Sequence, residues 1–226
     1  MIDHLEKLML EHFSTIPFHN LSLLYGEPYD NKILGGTCSD KTLAFLSDAR
    51  DSGVDAQLHT AYIGGKEIHR LIRVSINGRS FYADVGNGWP ALRLFPEDEE
   101  IFFECFGMKY RTEIKHDWLY VFHEKQGRES LQMSIHRAPR PESEILNEIG
   151  SRFTSGIIYP FSNSLRFSLI VGDEFLFLRG AILERHSKLG FSLETVDEKD
   201  IPDVIQQEFG CDVSSYFNKV SKSHSI

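Results

Sequence analysis

Apolar residues near helical spacing open the chain. Leu5, Leu8, Met9 and Phe13 share one face of residues 2–13 and predict a short amphipathic helix, which Pro17 ends. Residues 18–24 are largely apolar, and a polar loop runs through Pro28 and Asp30. A second helix is predicted over 41–48, with Leu43, Phe45 and Leu46 turned inward and Gly53 just past its C-terminal end. From Val54 the period falls to two. Residues 56–63, 68–76 and 79–85 read as three strands, joined by a turn at Gly64-Gly65-Lys66-Glu67 and a type I′ turn at Asn77-Gly78. Further strands are predicted over 102–108, 109–114, 118–122 and 131–135. After Pro139-Arg140-Pro141 comes a helix over 142–153, then a hairpin about Gly172-Asp173, short strands over 181–185 and 192–195, and a last helix over Ile201–Phe209 stopped by Gly210. Helices, then strands, then a mixed segment make the class α+β.

Composition narrows the function classes. In 226 residues, 41% hydrophobic content is that of an ordinary globular protein, long enough to bury a real core. A net charge of −9 argues against a general nucleic-acid binder while leaving room for a local basic pocket. No apolar run approaches a membrane span, and no basic segment followed by an apolar one marks a signal peptide. Three widely spaced cysteines without a CxxC suggest neither a disulfide framework nor a zinc site, and fit reduced thiols in the cytoplasm. No histidine spacing points to a metal.

Candidate chemistry centres on Cys38. It follows Gly35-Gly36 and opens a helix, where the positive end of the macrodipole favours thiolate. A cysteine nucleophile needs a base beside it, and a base needs an orienting acid. His69 near the start of one strand and Asp84 near the end of the next supply both. Folding about Asn77-Gly78 sets residue 69 opposite residue 86, so His69 and Asp84 become diagonal cross-strand neighbours. Taken singly, Cys38 also reads as a buried structural thiol, His69 as a satisfied strand histidine, and Asp84 as a cap for the turn at Gly86. Lys41 and Arg70 read as ordinary surface charge, and Cys105 and Cys211 as small core residues.

The motifs together resemble the arylamine N-acetyltransferases. Ile16-Pro17-Phe18-His19-Asn20-Leu21 is similar to the family's I-P-F-E-N-L, Gly35-Gly36-Thr37-Cys38 to its R-G-G-x-C, and Tyr82-Ala83-Asp84-Val85-Gly86 to its D-V-G strand. His69-Arg70-Leu71 resembles the histidine strand, at the family's fifteen-residue step from histidine to aspartate, and Trp118-Leu119-Tyr120-Val121-Phe122 resembles W-x-x-L-Y-x-F. The resemblance implies a papain-like, transglutaminase-like cysteine-enzyme fold: a helical part over 1–55 carrying the nucleophile, a central antiparallel β-barrel part over 56–138 carrying histidine and aspartate, and a C-terminal α/β lid over 139–226, packed as one unit. It implies a catalytic triad of Cys38, His69 and Asp84. It also implies acetyl-CoA as co-substrate without a metal, a small arylamine-type acceptor and a ping-pong reaction through an acyl-cysteine. Amide synthesis, thioester or amide hydrolysis on the same triad, and a non-catalytic binding role are the alternatives. The departures are Leu34 for the arginine, His19 for the glutamate, Ser39-Asp40-Lys41-Thr42 for F-E-x-N, and Asn87 for the aromatic after D-V-G. The first two remove a family ion pair together, and the last removes an apolar wall. Pro90, Phe95 and Pro96 shape the pocket entrance or are ordinary loop residues.

Overall fold

The computed structural model describes residues 1–26, 33–154, 156 and 158–223, the side chains of 219–223 excepted. The polar loop expected through Pro28 and Asp30 lies outside them. The chain begins with α1 (Ile2–Thr15), β1 (Phe18–His19), α2 (Leu21–Tyr25) and α3 (Cys38–Asp51). The strands β2 (Asp55–Ile63), β3 (Lys66–Ile76), β4 (Arg79–Ala83), β5 (Phe95–Pro96), β6 (Phe102–Cys105), β7 (Met108–Lys115), β8 (Trp118–Lys125) and β9 (Arg128–His136) follow. Then come α4 (Glu142–Gly150), β10 (Arg166–Val171), β11 (Glu174–Arg179), β12 (Ile182–Ser187), β13 (Gly190–Thr195), α5 (Ile201–Phe209) and α6 (Ser214–Ser223).

Two antiparallel sheets organise these elements. The larger has the order β5-β4-β3-β2-β9-β8-β7-β6, a curled half-barrel in the place of the expected barrel part. The smaller has the order β1-β10-β11-β12-β13. One core joins the apolar stripe of α1 (Leu5, Met9, Phe13), Phe45 and Leu46 of α3, the inner face of the large sheet, and Ile170, Phe175 and Phe177 of the small sheet. A second core lies between the small sheet and α5 and α6, and takes in Leu21 from α2. Because β1 pairs with β10, the N-terminal segment is built into the C-terminal sheet. Among the described residues, no helix is long and apolar enough to cross a membrane.

The meander that carries the site forms as its turn residues dictate. Asn77 and Gly78 both take positive φ, at 50° and 79°, which a type I′ turn requires. The turn sets Ile76 opposite Arg79 and Ile72 opposite Ala83. Two register shifts interrupt the large sheet. One skips Ile68 between Ala61 and Tyr62, and the other skips Gln132 between Val121 and Phe122. A bulge of this kind leaves one residue unpaired and re-aims its side chain.

Several boundaries differ from the sequence pattern. The expected strand 102–108 is cut by a turn at Phe106-Gly107, both at positive φ, so the hairpin there is tight. The helix expected to residue 153 stops at Gly150, where Arg152 folds back to donate to the Ile149 carbonyl at 2.9 Å. The final helix α6 is unanticipated; the Asp212 carboxylate accepts from the Ser214 N–H at 2.9 Å and starts it.

Candidate active site

The loop before Cys38 has little freedom. Gly36 donates to the Pro17 carbonyl at 3.3 Å, and the Gly36 carbonyl accepts from the His19 N–H at 2.8 Å. A side chain at Gly35 would put its Cβ 2.1 Å from the Pro17 oxygen, and φ there is +96°. Only glycine fits. The Asp40 carboxylate then accepts from both the N–H and the hydroxyl of Thr37, each at 2.9 Å, and ties the first turn of α3. Arg152 holds Asp40 in turn at 2.7 Å. Cys38 therefore occupies the first position of a braced helix, with its Sγ 3.8 Å from the Ile68 carbonyl. Ile68 is the unpaired residue of the β3 bulge, next to His69.

The sequence-expected residues meet. His69 Nε2 lies 2.9 Å from Asp84 Oδ1. That oxygen also accepts from the Gly86 and Asn87 N–H groups, both at 3.1 Å, and the carboxylate is fully buried, at 0% exposure. With Nε2 committed to Asp84, Nδ1 is the ring nitrogen left for the thiol. Burial pushes the His69 pKa down, but the Asp84 charge, the hydrogen bond to it and the Cys38 thiolate override this and raise it to about 10. For Cys38, burial works against ionisation, yet the hydrogen bond and charge of His69, helped by Arg70, bring its pKa below the ordinary thiol value. The other two thiols go the opposite way: burial raises Cys211 and pushes Cys105 up to about 12. Cys38 alone of the three is set up to ionise.

Lys41 and Arg70 are not surface charges. Lys41 is 1% exposed beneath the site, with Nζ bonded to the Ile16 carbonyl and, at 3.3 Å, to the His12 carbonyl. The Ile16 carbonyl belongs to the C-cap of α1, and the His12 carbonyl also accepts from the Ile16 N–H at 3.0 Å. Burial lowers its pKa to about 7. Arg70 is 6% exposed; it donates to the His69 carbonyl at 3.0 Å and to Glu148 at 2.9 Å. α3 lies against this part of β3, where Thr42 donates to the Arg70 carbonyl at 2.9 Å, and Glu148 of α4 meets the guanidinium. No local signal could reveal the cover. Gly86 completes the packing. A Cβ there would meet Thr42 Oγ1 at 2.7 Å, the Arg70 oxygen at 2.8 Å and the Cys38 oxygen at 2.9 Å.

Cys38 and His69 open onto a cavity of about 290 Å³, walled by Phe18, Trp89, Phe161 and Phe177. Such a hollow takes a small, flat, largely apolar molecule. A neighbouring hollow shares Arg179 and is lined by Lys125 and Arg128. Glu184 lines it too and is paired with Arg179, so Lys125 and Arg128 are the cations that leave this surface basic beside the mouth. Among the described residues, no group of three or more His, Cys, Asp or Glu side chains could hold a metal ion.

Solved structures share this whole arrangement of elements. The arylamine N-acetyltransferase of Mycobacterium marinum in complex with CoA matches at 19% identity and TM-score 0.79, over 96% of this chain and 89% of that one. The fold is that of the arylamine N-acetyltransferases. The Nocardia farcinica enzyme matches at 22% identity and TM-score 0.78, over 92% of this chain and 82% of that one. The Salmonella typhimurium enzyme matches at 19% and 0.76, over 94% and 85%. No protein-family model matches the sequence, and no curated protein does.

Within the arylamine N-acetyltransferase fold, the departures acquire a physical reading. His19 is buried and stacks on Phe167 at 5.7 Å; burial takes its pKa to about 4, so it is neutral. Leu34 is exposed. No ion pair is needed where neither position carries a charge. Asn87 does line the cavity, but its Oδ1 accepts from the Trp89 N–H at 3.2 Å, and the Trp89 ring, 4.7 Å from Phe177, restores an aromatic wall two residues on. Phe95 and Pro96 do not shape the entrance; they form β5, paired with β4, and Phe95 is core.

Proposed function

We propose that the protein is an acetyl-CoA-dependent N-acyltransferase for small aromatic amines, working through an acyl-cysteine. The observation that carries this reading is the buried Cys38–His69–Asp84 chain opening onto an aromatic cavity with a basic rim. The shared fold and the CoA bound by the Mycobacterium marinum relative support the donor. The three unpaired thiols fit a reducing, cytoplasmic setting.

At rest Cys38 is thiolate and His69 imidazolium. The thiolate attacks the thioester carbonyl carbon, the bond from that carbon to the CoA sulfur breaks, and the departing sulfur takes the His69 proton. Neutral His69 is then the base for the second half. The amine nitrogen attacks the acetyl carbon and loses a proton to His69, and the carbon–sulfur bond to Cys38 breaks, which restores the ion pair and frees the amide. Asp84 fixes the ring and stabilises its charged form in both halves. The Cys38 N–H, in the first turn of α3, is the donor for the developing oxyanion. Lys125 and Arg128 receive the phosphates of CoA.

The test is intact mass after mixing with acetyl-CoA. One added acetyl group is expected, absent in Cys38→Ala and discharged by an arylamine. No adduct and no CoA release overturns the proposal, and steady CoA release without amine makes the protein a hydrolase.

A further inference from the structure

We propose that Gln132, assisted by His123, forms a polar subsite that selects aromatic acceptors bearing a neutral carboxamide-type group. The proposal rests on the transferase reading for the word acceptor, but its evidence is separate. Gln132 is the extra residue of the β9 bulge, so neither strand neighbour fixes its pairing. It lines the same cavity as Cys38 and His69. It is 9% exposed, and neither its amide oxygen nor its amide nitrogen has a hydrogen-bond partner. His123 on β8 lines the cavity too, is 7% exposed, and has an unpartnered Nδ1.

A buried amide without partners is a net cost to a fold, and one that lines a cavity offers its bonds to whatever occupies that cavity. The missing partner follows from the donor and acceptor inventory. Gln132 offers one uncharged acceptor and one uncharged donor side by side, so its complement presents an N–H and a C=O together. Burial, with the nearby Lys125 charge, holds His123 down to about pKa 4, so it also presents a neutral ring. Of the two arginines on the wall, Arg179 is paired with Glu184, and Arg166 donates through one nitrogen to the Leu165 carbonyl at 3.0 Å and to Ser164. The open requirement at Gln132 itself is therefore that of a carboxamide on an arylamine or arylhydrazine. A cavity of about 290 Å³ accommodates one substituted ring of that size.

Equilibrium binding to Cys38→Ala tests the subsite without any acyl transfer. 3- and 4-aminobenzamide are compared with 3- and 4-methylaniline by calorimetry. At least one benzamide isomer is expected to bind about tenfold more tightly than its methyl counterpart, and the preference to vanish in Cys38→Ala/Gln132→Leu. In the wild-type enzyme charged with acetyl-CoA, the same preference is expected in kcat/KM. The thermal midpoint of Gln132→Leu is expected to equal or exceed that of the wild type, since an unpaired amide is removed. Equal binding of benzamides and methylanilines, or a midpoint several degrees lower in Gln132→Leu, overturns the subsite. If acetyl-CoA leaves no adduct while the amide preference persists, the transferase reading falls and the subsite stands.

Discussion

Asp84→Asn isolates the charge on which the proposed nucleophile depends. Asparagine keeps an oxygen at the Oδ1 position, so the bonds from His69 Nε2 and from the Gly86 and Asn87 N–H groups all survive. The fold is retained and only the negative charge is lost. An opposite charge in direct contact shifts a pKa by about 1–3 units, and each unit is about 1.4 kcal/mol. The imidazolium is then less stable by roughly 1.4–4 kcal/mol, and the thiolate–imidazolium pair loses population by about ten- to a thousandfold. The assay is the rate of iodoacetamide alkylation at Cys38 from about pH 5 to about pH 9, in a background with Cys105 and Cys211 replaced by serine. The wild-type profile is expected to hold its rate well below the ordinary thiol pKa of about 8.5. In Asp84→Asn the midpoint rises toward that value, and the rate near pH 6 falls by the factor above. Superimposable profiles would refute the reasoning, because they would mean that Asp84 does not set the charge state of the pair.

Lys41→Met tests the buried lysine. Its folded pKa of about 7 lies below the ordinary lysine value of 10.5, so between those values the unfolded chain binds more protons and stability rises with pH. The wild type should gain stability relative to Lys41→Met across this window, by at most about 1.4 kcal/mol per pH unit, in urea melts at stepped pH; parallel curves would show that Lys41 does not titrate there. Gly86→Ala forces a Cβ to within 2.9 Å of two backbone oxygens that cannot swing away, those of Arg70 and Cys38. A loss of about 1–3 kcal/mol in urea melts is expected, with slower Cys38 alkylation, and unchanged values would contradict the close packing described.

Most of the longer elements, the turn chemistry and the meeting of the three candidate site residues were legible in the chain itself, whereas α2, β5 and α6 were not. Short-range rules carry that information: Asn77-Gly78 admits one tight turn, the turn dictates the register, and the register brings His69 beside Asp84. Gly35-Gly36 before Cys38 is a local signature for the same reason, since only glycine survives the contact with Pro17. What folded packing alone decided is burial and pairing between distant segments. Lys41 and Arg70 look like solvent-facing charges until α1, α3 and α4 close over them and supply two carbonyls and Glu148. Trp89 becomes the aromatic wall in place of Asn87 only because β11 sets Phe177 against it. The bulge at Gln132 follows from the pairing of two strands, so neither strand announces it. Hydrogen bonding along the backbone is a near-neighbour property that a sequence can display, whereas the dielectric surrounding a side chain depends on whatever the rest of the polymer brings to cover it.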